Sequence, residues 1–302
     1  MTTRIIFSKK YTVKGGPHIF RSDKFEAALK LLLKEKVISP ADIAEPARPS
    51  KADLLPAHSP AWVKKILSGK LAPDDQAAAE MKATKAVIEA HLMNTGGTIL
   101  AARLALETGL GINCGGGGHH AFRGRGAGFC LLNDIAVAVK WLQRRKKIKR
   151  ALIIDLDVHQ GDGTASIFAK DRPVFTFSVH QWDIYPAVKR RGSLDLELPA
   201  GTGDAAYIKS LKTNLPAVFK KSRPDIVIYN AGVDVYEHDL LGGLKLTMAG
   251  VRRRDELVFA ECVRRKVPVV LVLSGGYAAK FSDTVRLHAN TIKAALKEFG
   301  SR

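Results

Sequence analysis

Short apolar runs alternate with amphipathic segments along most of the chain. Runs rich in Val, Ile and Leu are typical of buried strands, whereas apolar positions three and four residues apart are typical of helices. This pattern predicts strands at 4–7, 111–114, 151–156, 173–180, 226–230 and 267–273. It predicts helices at 22–36, 60–67, 74–91, 98–107, 131–145, 163–169, 205–220, 249–265 and 281–297, with loops at 15–18 and 40–59.

The order of these elements predicts the architecture. Strands joined by helices form parallel sheets with right-handed crossovers, and the helices then cover both faces of the sheet. We therefore expect a single α/β domain across residues 1–302, with three αβα layers and a central, mostly parallel sheet. Ligands of such sheets bind beyond the carboxyl ends of the strands.

The acidic stretch after the strand at 151–156 indicates a metal site. Asp155, Asp157 and His159 are two residues apart, so their side chains are expected to project to one side of the strand end. With Asp162, three carboxylates lie close together, and their mutual repulsion calls for a cation. A helix-capping role is the plainer interpretation, but it accounts for one of these residues at most. Asp157, His159 and Asp234, which follows another strand, predict a three-ligand site with an open position, as in catalytic zinc sites.

Other strand ends carry groups suited to proton transfer. His119 and His120 follow a run of four glycines, which let the backbone approach a metal or ligand closely. Asp155 and Asp162 can each accept a hydrogen bond from one histidine and so fix its tautomer. Tyr277, after a Gly-Gly turn, can donate to an oxygen on which negative charge develops. By themselves, a histidine pair and a loop tyrosine also suit a packing role, but together these groups predict metal-assisted hydrolysis of an amide or ester.

Composition sets the broad class of protein. The 302 residues are 46% hydrophobic and contain three cysteines, too few and too scattered for a disulfide framework. The sequence has no apolar run of about 18 residues and no signal-peptide pattern at its start, so we expect a soluble, cytoplasmic protein with reduced thiols.

The net charge of +19 is concentrated in basic runs that precede strands. The densest runs are 144–150, 220–223 and 264–266, which parallel strands would gather at the edge of the sheet opposite the metal. Two interpretations remain open. The cations either favour helix C-termini and solubility, or they form a surface for nucleic acid or another anionic partner.

Several motifs, in this order and spacing, resemble those of the zinc-dependent histone deacetylase family. They are His119-His120, Gly128-Phe129-Cys130, the run 155–163, Gly232-Val233-Asp234 and Gly275-Gly276-Tyr277. The segments 116–118, 183–186, 241–244 and 254–259 resemble class IV members and their bacterial relatives. The resemblance implies the arginase/deacetylase fold and the removal of acyl groups from acyl-lysine.

Carried over to this sequence, the resemblance also implies individual roles. Zinc would be held by Asp157, His159 and Asp234. His120, backed by Asp162, would be the main general base and acid, His119, backed by Asp155, would be its electrostatic partner, and Tyr277 would polarise the acyl carbonyl. Gly128, Phe129 and Tyr185 would line a narrow tunnel for the lysine stem. A structural potassium ion would lie near Asp155, Asp157, His159, Ser178 and Val179.

The loop 181–186 is shorter than in class I enzymes, which would alter the mouth of the tunnel. Longer acyl chains on lysine, or small acylated amines such as acetylpolyamines, therefore remain alternative substrates. Two other functions compete with deacylation. One is a non-catalytic binding protein that uses its basic face, and the other is an arginase-like hydrolase of guanidino compounds with two metal ions.

Overall fold

A computed structural model describes residues 5–13 and 18–300. Within these ranges a single sheet of eight strands runs through the molecule, and every strand pair is parallel. The strands are β1 (Ile5–Ile6), β2 (Ile43–Ala44), β3 (Leu110–Asn113), β4 (Ala151–Asp155), β5 (Val174–Gln181), β6 (Leu194–Leu198), β7 (Ile226–Asn230) and β8 (Val269–Val272). Their spatial order is β2-β1-β3-β8-β7-β4-β5-β6, so β4 and β7 are neighbours at the centre of the sheet.

Helices cover both faces of this sheet. They are α1 (Asp23–Lys34), α2 (Lys51–Leu54), α3 (Pro60–Ser68), α4 (Pro73–Ala78), α5 (Lys85–Thr108), α6 (Asp134–Arg144), α7 (Asp162–Phe168), α8 (Asp204–Ser222), α9 (Met248–Arg265) and α10 (Phe281–Gly300). Successive residues of a strand point to opposite faces. In β4, Leu152 and Ile154 join the core under α1, α8, α9 and α10, whereas Ala151 and Ile153 join the core under α3, α5 and α6. The predicted three-layer α/β architecture is confirmed.

Most predicted helices agree with the structure within about three residues at each end, but two predicted helices are divided differently along the chain. The segment predicted as one helix at 74–91 is broken between α4 and α5, where Glu80 has a positive φ of 51°. The helix predicted to begin at Thr98 is instead the second half of α5, which runs through Gly96 and Gly97. Glycine is needed there for close packing, because a Cβ at Gly96 would lie 2.0 Å from the Ala47 carbonyl oxygen.

The segment predicted as a loop at 40–59 contains β2 and α2 in the structure. The sequence pattern also predicted no strand between 181 and 204, yet β6 lies there, at the edge of the sheet. Its residues are half-exposed and alternate Leu with acidic side chains, which suits a solvated edge strand. The start of the predicted first strand at residue 4, and most of the predicted loop at 15–18, lie outside the described residues. Within the described ranges, every helix is too short or too polar to cross a membrane.

Candidate active site

Three predicted metal ligands meet at the carboxyl edge of the sheet. Asp157 and His159 lie on the loop after β4, and Asp234 lies on the loop after the neighbouring strand β7. One ligand atom from each residue lies within 4.8 Å of the other two, and all three residues are buried. Nδ1 of His159 lies 3.1 Å from Oδ1 of Asp157 and 3.3 Å from Oδ2 of Asp234.

Both oxygens of Asp157 accept hydrogen bonds, Oδ1 from the His159 N–H at 3.0 Å, whereas one oxygen of Asp234 has no hydrogen-bond partner. Oδ2 of Asp157 accepts hydrogen bonds from the Ser274 hydroxyl at 2.9 Å and the Gly275 backbone N–H at 3.0 Å. Oδ1 of Asp234 accepts one from the Val158 N–H at 2.8 Å. Oδ2 of Asp234 is buried without a hydrogen-bond partner. Burial and the charge of Asp157 raise the pKa of Asp234 to about 6, so a cation that offsets these charges fits the site.

Glycines make room for this cluster. A Cβ at Gly232 would lie 2.1 Å from Oδ2 of Asp157, and a Cβ at Gly275 would lie 2.0 Å from Oδ2 of Asp234. Any other residue at either position would therefore displace a carboxylate. The donor set of two carboxylates and one imidazole, with space beside it, matches the ligands that zinc prefers in catalytic sites.

His119 is paired with Asp155. Its Nδ1 lies 2.9 Å from Oδ2 of Asp155, while Oδ1 of Asp155 accepts a hydrogen bond from the Asn230 side chain at 2.8 Å. Burial lowers the pKa of His119, but the charges of Asp155 and Asp157 outweigh it and raise that pKa to about 9. Without a metal ion, His119 is therefore positively charged at neutral pH.

His120 forms the second pair. Its Nδ1 lies 2.7 Å from Oδ1 of Asp162, the first residue of α7. Burial and the positive charge of His119 lower the pKa of His120 to about 4, although Asp162 opposes the shift. His120 is therefore neutral at pH 7, and its Nε2 remains free to accept a proton. The two adjacent histidines, with ring centroids 4.0 Å apart, thus differ in charge.

Asp134 holds the glycine run that leads to the histidines. It opens α6, and its carboxylate accepts hydrogen bonds from the N–H groups of Gly117 at 3.1 Å and Gly118 at 2.6 Å. Gly117 has a φ of +88°, and a Cβ there would lie 2.7 Å from Cα of Ser274. Asp134 and Asn230 were missed in the sequence. Two sequence signals could have indicated them. Asn230 is a polar residue at the end of a buried strand, and Asp134 belongs to an Asn-Asp pair at the start of a helix.

Tyr277 lies at the cavity wall beside a buried lysine. Burial and the charges of Asp234 and Asp157 raise the pKa of Tyr277 well above its usual range, so its hydroxyl remains a donor. Lys24 of α1 is fully buried. Its Nζ donates a hydrogen bond to the Gly276 carbonyl at 3.3 Å and lies 4.9 Å from the centroid of the Tyr277 ring. Lys24 was also missed, although it lies on the apolar face of a predicted amphipathic helix, one turn before Ala28.

A cavity of about 1030 Å³ leads to the cluster. Gly128, Phe129 and Tyr185, the predicted tunnel residues, line it together with both histidines and Tyr277. The Tyr185 and His120 ring centroids are 4.9 Å apart, and the Phe129 and Tyr277 ring centroids are 6.3 Å apart. Gly128 has a φ of +45°, and a Cβ there would lie 2.7 Å from Cδ2 of His120. The predicted residues therefore converge on one space.

The predicted potassium site lies behind the cluster. Ser178 of β5 is paired in register with Asp155 of β4, and Ser178 and Val179 are both buried. The Ser178 hydroxyl already contacts Nδ1 of His180 at 2.9 Å. The potassium ion stays a prediction.

The fold and this cluster define an α/β protein with a buried site for a metal ion at the carboxyl edge of a parallel sheet. Residues 18–292 match the family model of the histone deacetylase domain, so the chain belongs to the histone deacetylase family. The resemblance predicted from the motifs is thereby confirmed, and the chain is a member of a family of deacetylases, which are hydrolases.

Individual relatives agree with this assignment. A protein of Picosynechococcus sp., named only as uncharacterized, is 44% identical over 92% of this chain and 93% of its own length. Histone deacetylase 2 of Arabidopsis thaliana is 34% identical over 96% of this chain and 77% of its own. The crystal structure of the HDA15 HD domain superposes with a TM-score of 0.79 at 24% identity, covering 99% of this chain and 88% of that one, which supports the fold.

Proposed function

We propose that this protein is a zinc-dependent hydrolase that removes acyl groups from the ε-amine of acyl-lysine. The observation that carries the proposal is the Asp157–His159–Asp234 cluster. Its Asp157 and His159 line one cavity with Tyr277 and with the histidines of two histidine–aspartate pairs. Membership of the histone deacetylase family agrees with it. The segments 183–186 and 241–244 favour a class IV type of enzyme.

Zinc on Asp157, His159 and Asp234 would supply Lewis acidity, which polarises a carbonyl and lowers the pKa of water. Neutral His120 accepts the proton of the attacking water at Nε2, because Nδ1 is held by Asp162. The same nitrogen then gives that proton to the departing amine. His119, held by Asp155, stabilises negative charge, and the Tyr277 hydroxyl donates a hydrogen bond to the acyl oxygen as charge develops on it.

The tunnel residues orient the substrate. The rings of Phe129 and Tyr185 flank the path of the four-carbon lysine stem, and the Gly128 carbonyl accepts a hydrogen bond from the amide N–H of the acyl-lysine. A potassium ion near Asp155, Asp157, His159, Ser178 and Val179 would offset the remaining negative charge. Small acylated amines such as acetylpolyamines fit the same chemistry and are the alternative substrates.

The test starts from metal-free protein. Reconstitution with one equivalent of zinc should restore acetate release from an acetyl-lysine peptide, and parallel reactions with longer acyl-lysines and acetylated polyamines rank the substrates. Tyr277→Phe should lower kcat by about 10²–10³-fold, as the loss of a donor to a developing oxyanion does. Tyr207→Phe, which removes a buried hydroxyl from α8, is the matched control and should retain activity. Equal activity of wild type and Tyr277→Phe, or maximal activity only with two equivalents of manganese, would contradict the proposal.

A further inference from the structure

The leading segments of four neighbouring strands meet at the amino edge of the sheet. Segments 146–150, 170–172, 220–223 and 264–266 end within three residues of the first residues of β4, β5, β7 and β8. Backbone hydrogen bonds join the starts of these strands at or just after the segments: Ala151 N–H to the Pro173 carbonyl, Asp225 N–H to the Arg150 carbonyl and Val227 N–H to the Pro268 carbonyl. We call the surface formed by these four segments the basic edge. Neighbouring strands are about 4.8 Å apart, so the basic edge is roughly 14 Å wide over four strands.

The basic edge carries exposed cations without counter-charges. Among the carboxylates beside it, Asp225 pairs with Arg150, Glu261 with Arg264 and Arg265, and Asp171 with Lys140. Lys146, Lys147, Lys220 and Lys221 are exposed and form no ion pair with any residue that the structure describes. One cation at each helix end satisfies the helix dipole. The remaining lysines place positive charges close together on one surface.

The side-chain types favour phosphates over a protein partner. Protein interfaces are enriched in aromatic residues and depleted in Lys. Of the exposed large apolar side chains in the described residues, Trp182 and Tyr185 are the aromatic ones, and both follow β5 at the opposite edge. The two rings nearest the basic edge, Phe175 and Trp141, are half-buried and already contact cations, Lys221 at 5.6 Å and Arg145 at 3.9 Å from the ring centroids. Neither ring is therefore free for an unpaired base to stack on, which single-strand binding requires. A duplex backbone, in contrast, needs only closely spaced cations.

We propose that the basic edge binds the phosphate backbone of double-stranded DNA without sequence preference. The five residues of β4 span about 17 Å between this edge and the cavity, so a bound duplex leaves the cavity open. The protein would thus act on acylated substrates while held near DNA.

The test uses a fluorescent 20-base-pair DNA duplex and the full chain, with anisotropy measured from about 50 to 200 mM salt, the range over which phosphate contacts weaken strongly. The edge variant carries Lys146→Gln, Lys147→Gln, Lys220→Gln and Lys221→Gln, which neutralise charge without placing acids at helix ends. The control variant carries Lys64→Gln, Lys70→Gln, Lys85→Gln and Lys209→Gln, four exposed lysines elsewhere. The two variants have the same net charge.

Wild type should bind the duplex with an affinity that falls steeply with salt. The edge variant should bind at least about tenfold more weakly at 50 mM salt, with the slope of log K against log salt reduced by about 0.9 for each lost phosphate contact. The control variant should bind within about threefold of wild type. Deacylation of a small acyl-lysine reporter should be the same in all three proteins, which separates this inference from the proposed function.

Three results would overturn the inference. If the wild-type protein does not bind the duplex at 50 mM salt, the basic edge is not a DNA-binding surface. Equal weakening in both variants would show that net charge, not the basic edge, controls binding. Tighter binding to poly-glutamate than to the duplex at equal salt would assign the surface to an acidic protein instead.

Discussion

The Asp239 carboxylate accepts a hydrogen bond from the backbone N–H of Tyr277, with 2.6 Å between Oδ2 and N. Its other oxygen accepts hydrogen bonds from the N–H groups of Leu241 at 2.9 Å and Gly242 at 3.1 Å. One carboxylate therefore ties the loop that carries Tyr277 to the loop that follows β7 and carries Asp234. Burial and the charge of Asp234 raise the pKa of Asp239 to about 7, although these three N–H donors oppose the shift.

Asp239→Asn should reduce activity through Tyr277. An asparagine offers one oxygen, so its NH₂ group must face either the Tyr277 N–H or the other two donors, and at least one hydrogen bond is lost. We expect kcat to fall by about tenfold, the equivalent of one hydrogen bond of roughly 1.4 kcal/mol, with little change in KM. Steady-state kinetics on an acyl-lysine reporter measure both constants.

A double-mutant cycle separates positioning from general destabilisation. If Asp239 acts by placing the Tyr277 hydroxyl, Asp239→Asn should have little effect on kcat once Tyr277 is already Phe. The same fractional loss of kcat in both backgrounds would rule out the positioning role.

Asp162→Asn should weaken His120 as a base. Asp162 raises the pKa of His120, which burial and the charge of His119 hold at about 4. Without Asp162 that pKa falls further, so the acidic limb of the kcat/KM profile should move to lower pH. The rate at pH 7 should fall by roughly 10–100-fold, as for other histidines that lose an orienting carboxylate.

Asp155→Asn is the matched comparison, because it removes the carboxylate from the other histidine. Asp155 raises the pKa of His119, so the basic limb of the profile should move to lower pH instead. A full pH profile of each variant checks both directions. The assignment of the two histidines fails if both variants shift the same limb.

The metal ligands could be predicted from sequence because topology brings them together. Asp157 and Asp234 follow β4 and β7, and in a parallel sheet the carboxyl ends of neighbouring strands necessarily meet. The polar residues themselves indicated the site, because burying a charged group beside an apolar strand costs free energy unless an opposite charge compensates it. The pairings of His119 with Asp155 and His120 with Asp162 came from the family resemblance.

Lys24 could not be predicted in the same way. It is 252 residues from Gly276 in the chain, and α1 showed only an amphipathic pattern. Whether a helical lysine is buried or solvated depends on what the helix packs against, which periodicity does not specify. The continuity of α5 was missed for a related reason, because Gly96 breaks helices by propensity but is required here by the packing of Ala47.

Removal of the metal should destabilise the protein in a way that depends on Asp234. Nδ1 of His159 lies 3.1 Å from Oδ1 of Asp157 and 3.3 Å from Oδ2 of Asp234, so chelation leaves two buried carboxylates that share one imidazole as their nearest cation. Zinc should therefore raise Tm, by mass action on the folded state, in thermal denaturation with and without zinc. Asp234→Asn removes a ligand and should abolish most of this shift, whereas Asp204→Asn, on α8, should keep it. A zinc shift of equal size in Asp234→Asn would exclude Asp234 as a ligand.

Lys24→Met should stabilise the folded protein at neutral pH. Burial lowers the pKa of Lys24 from 10.5 to about 8, against the charges of Asp234 and Asp157, and the shift corresponds to about 3 kcal/mol for holding the charged form. Met avoids this cost but loses the hydrogen bond to the Gly276 carbonyl, worth about 1–2 kcal/mol. The net gain at pH 7 should therefore be about 1–2 kcal/mol.

The pH dependence distinguishes this explanation from improved packing. Between about pH 8 and 10.5 the unfolded state binds more protons than the folded state at Lys24, so wild-type stability rises with pH in that window. The advantage of Lys24→Met should be constant below pH 8 and disappear as pH approaches 10.5. Urea denaturation of the metal-free proteins from pH 6 to 10 measures it, with Lys34→Met on the exposed end of α1 as the control. An advantage that is the same at every pH would show that the charge of Lys24 carries no cost. A lower kcat in the stabler variant would show that Lys24 supports the reaction at Tyr277, through its charge or through its hydrogen bond to the Gly276 carbonyl.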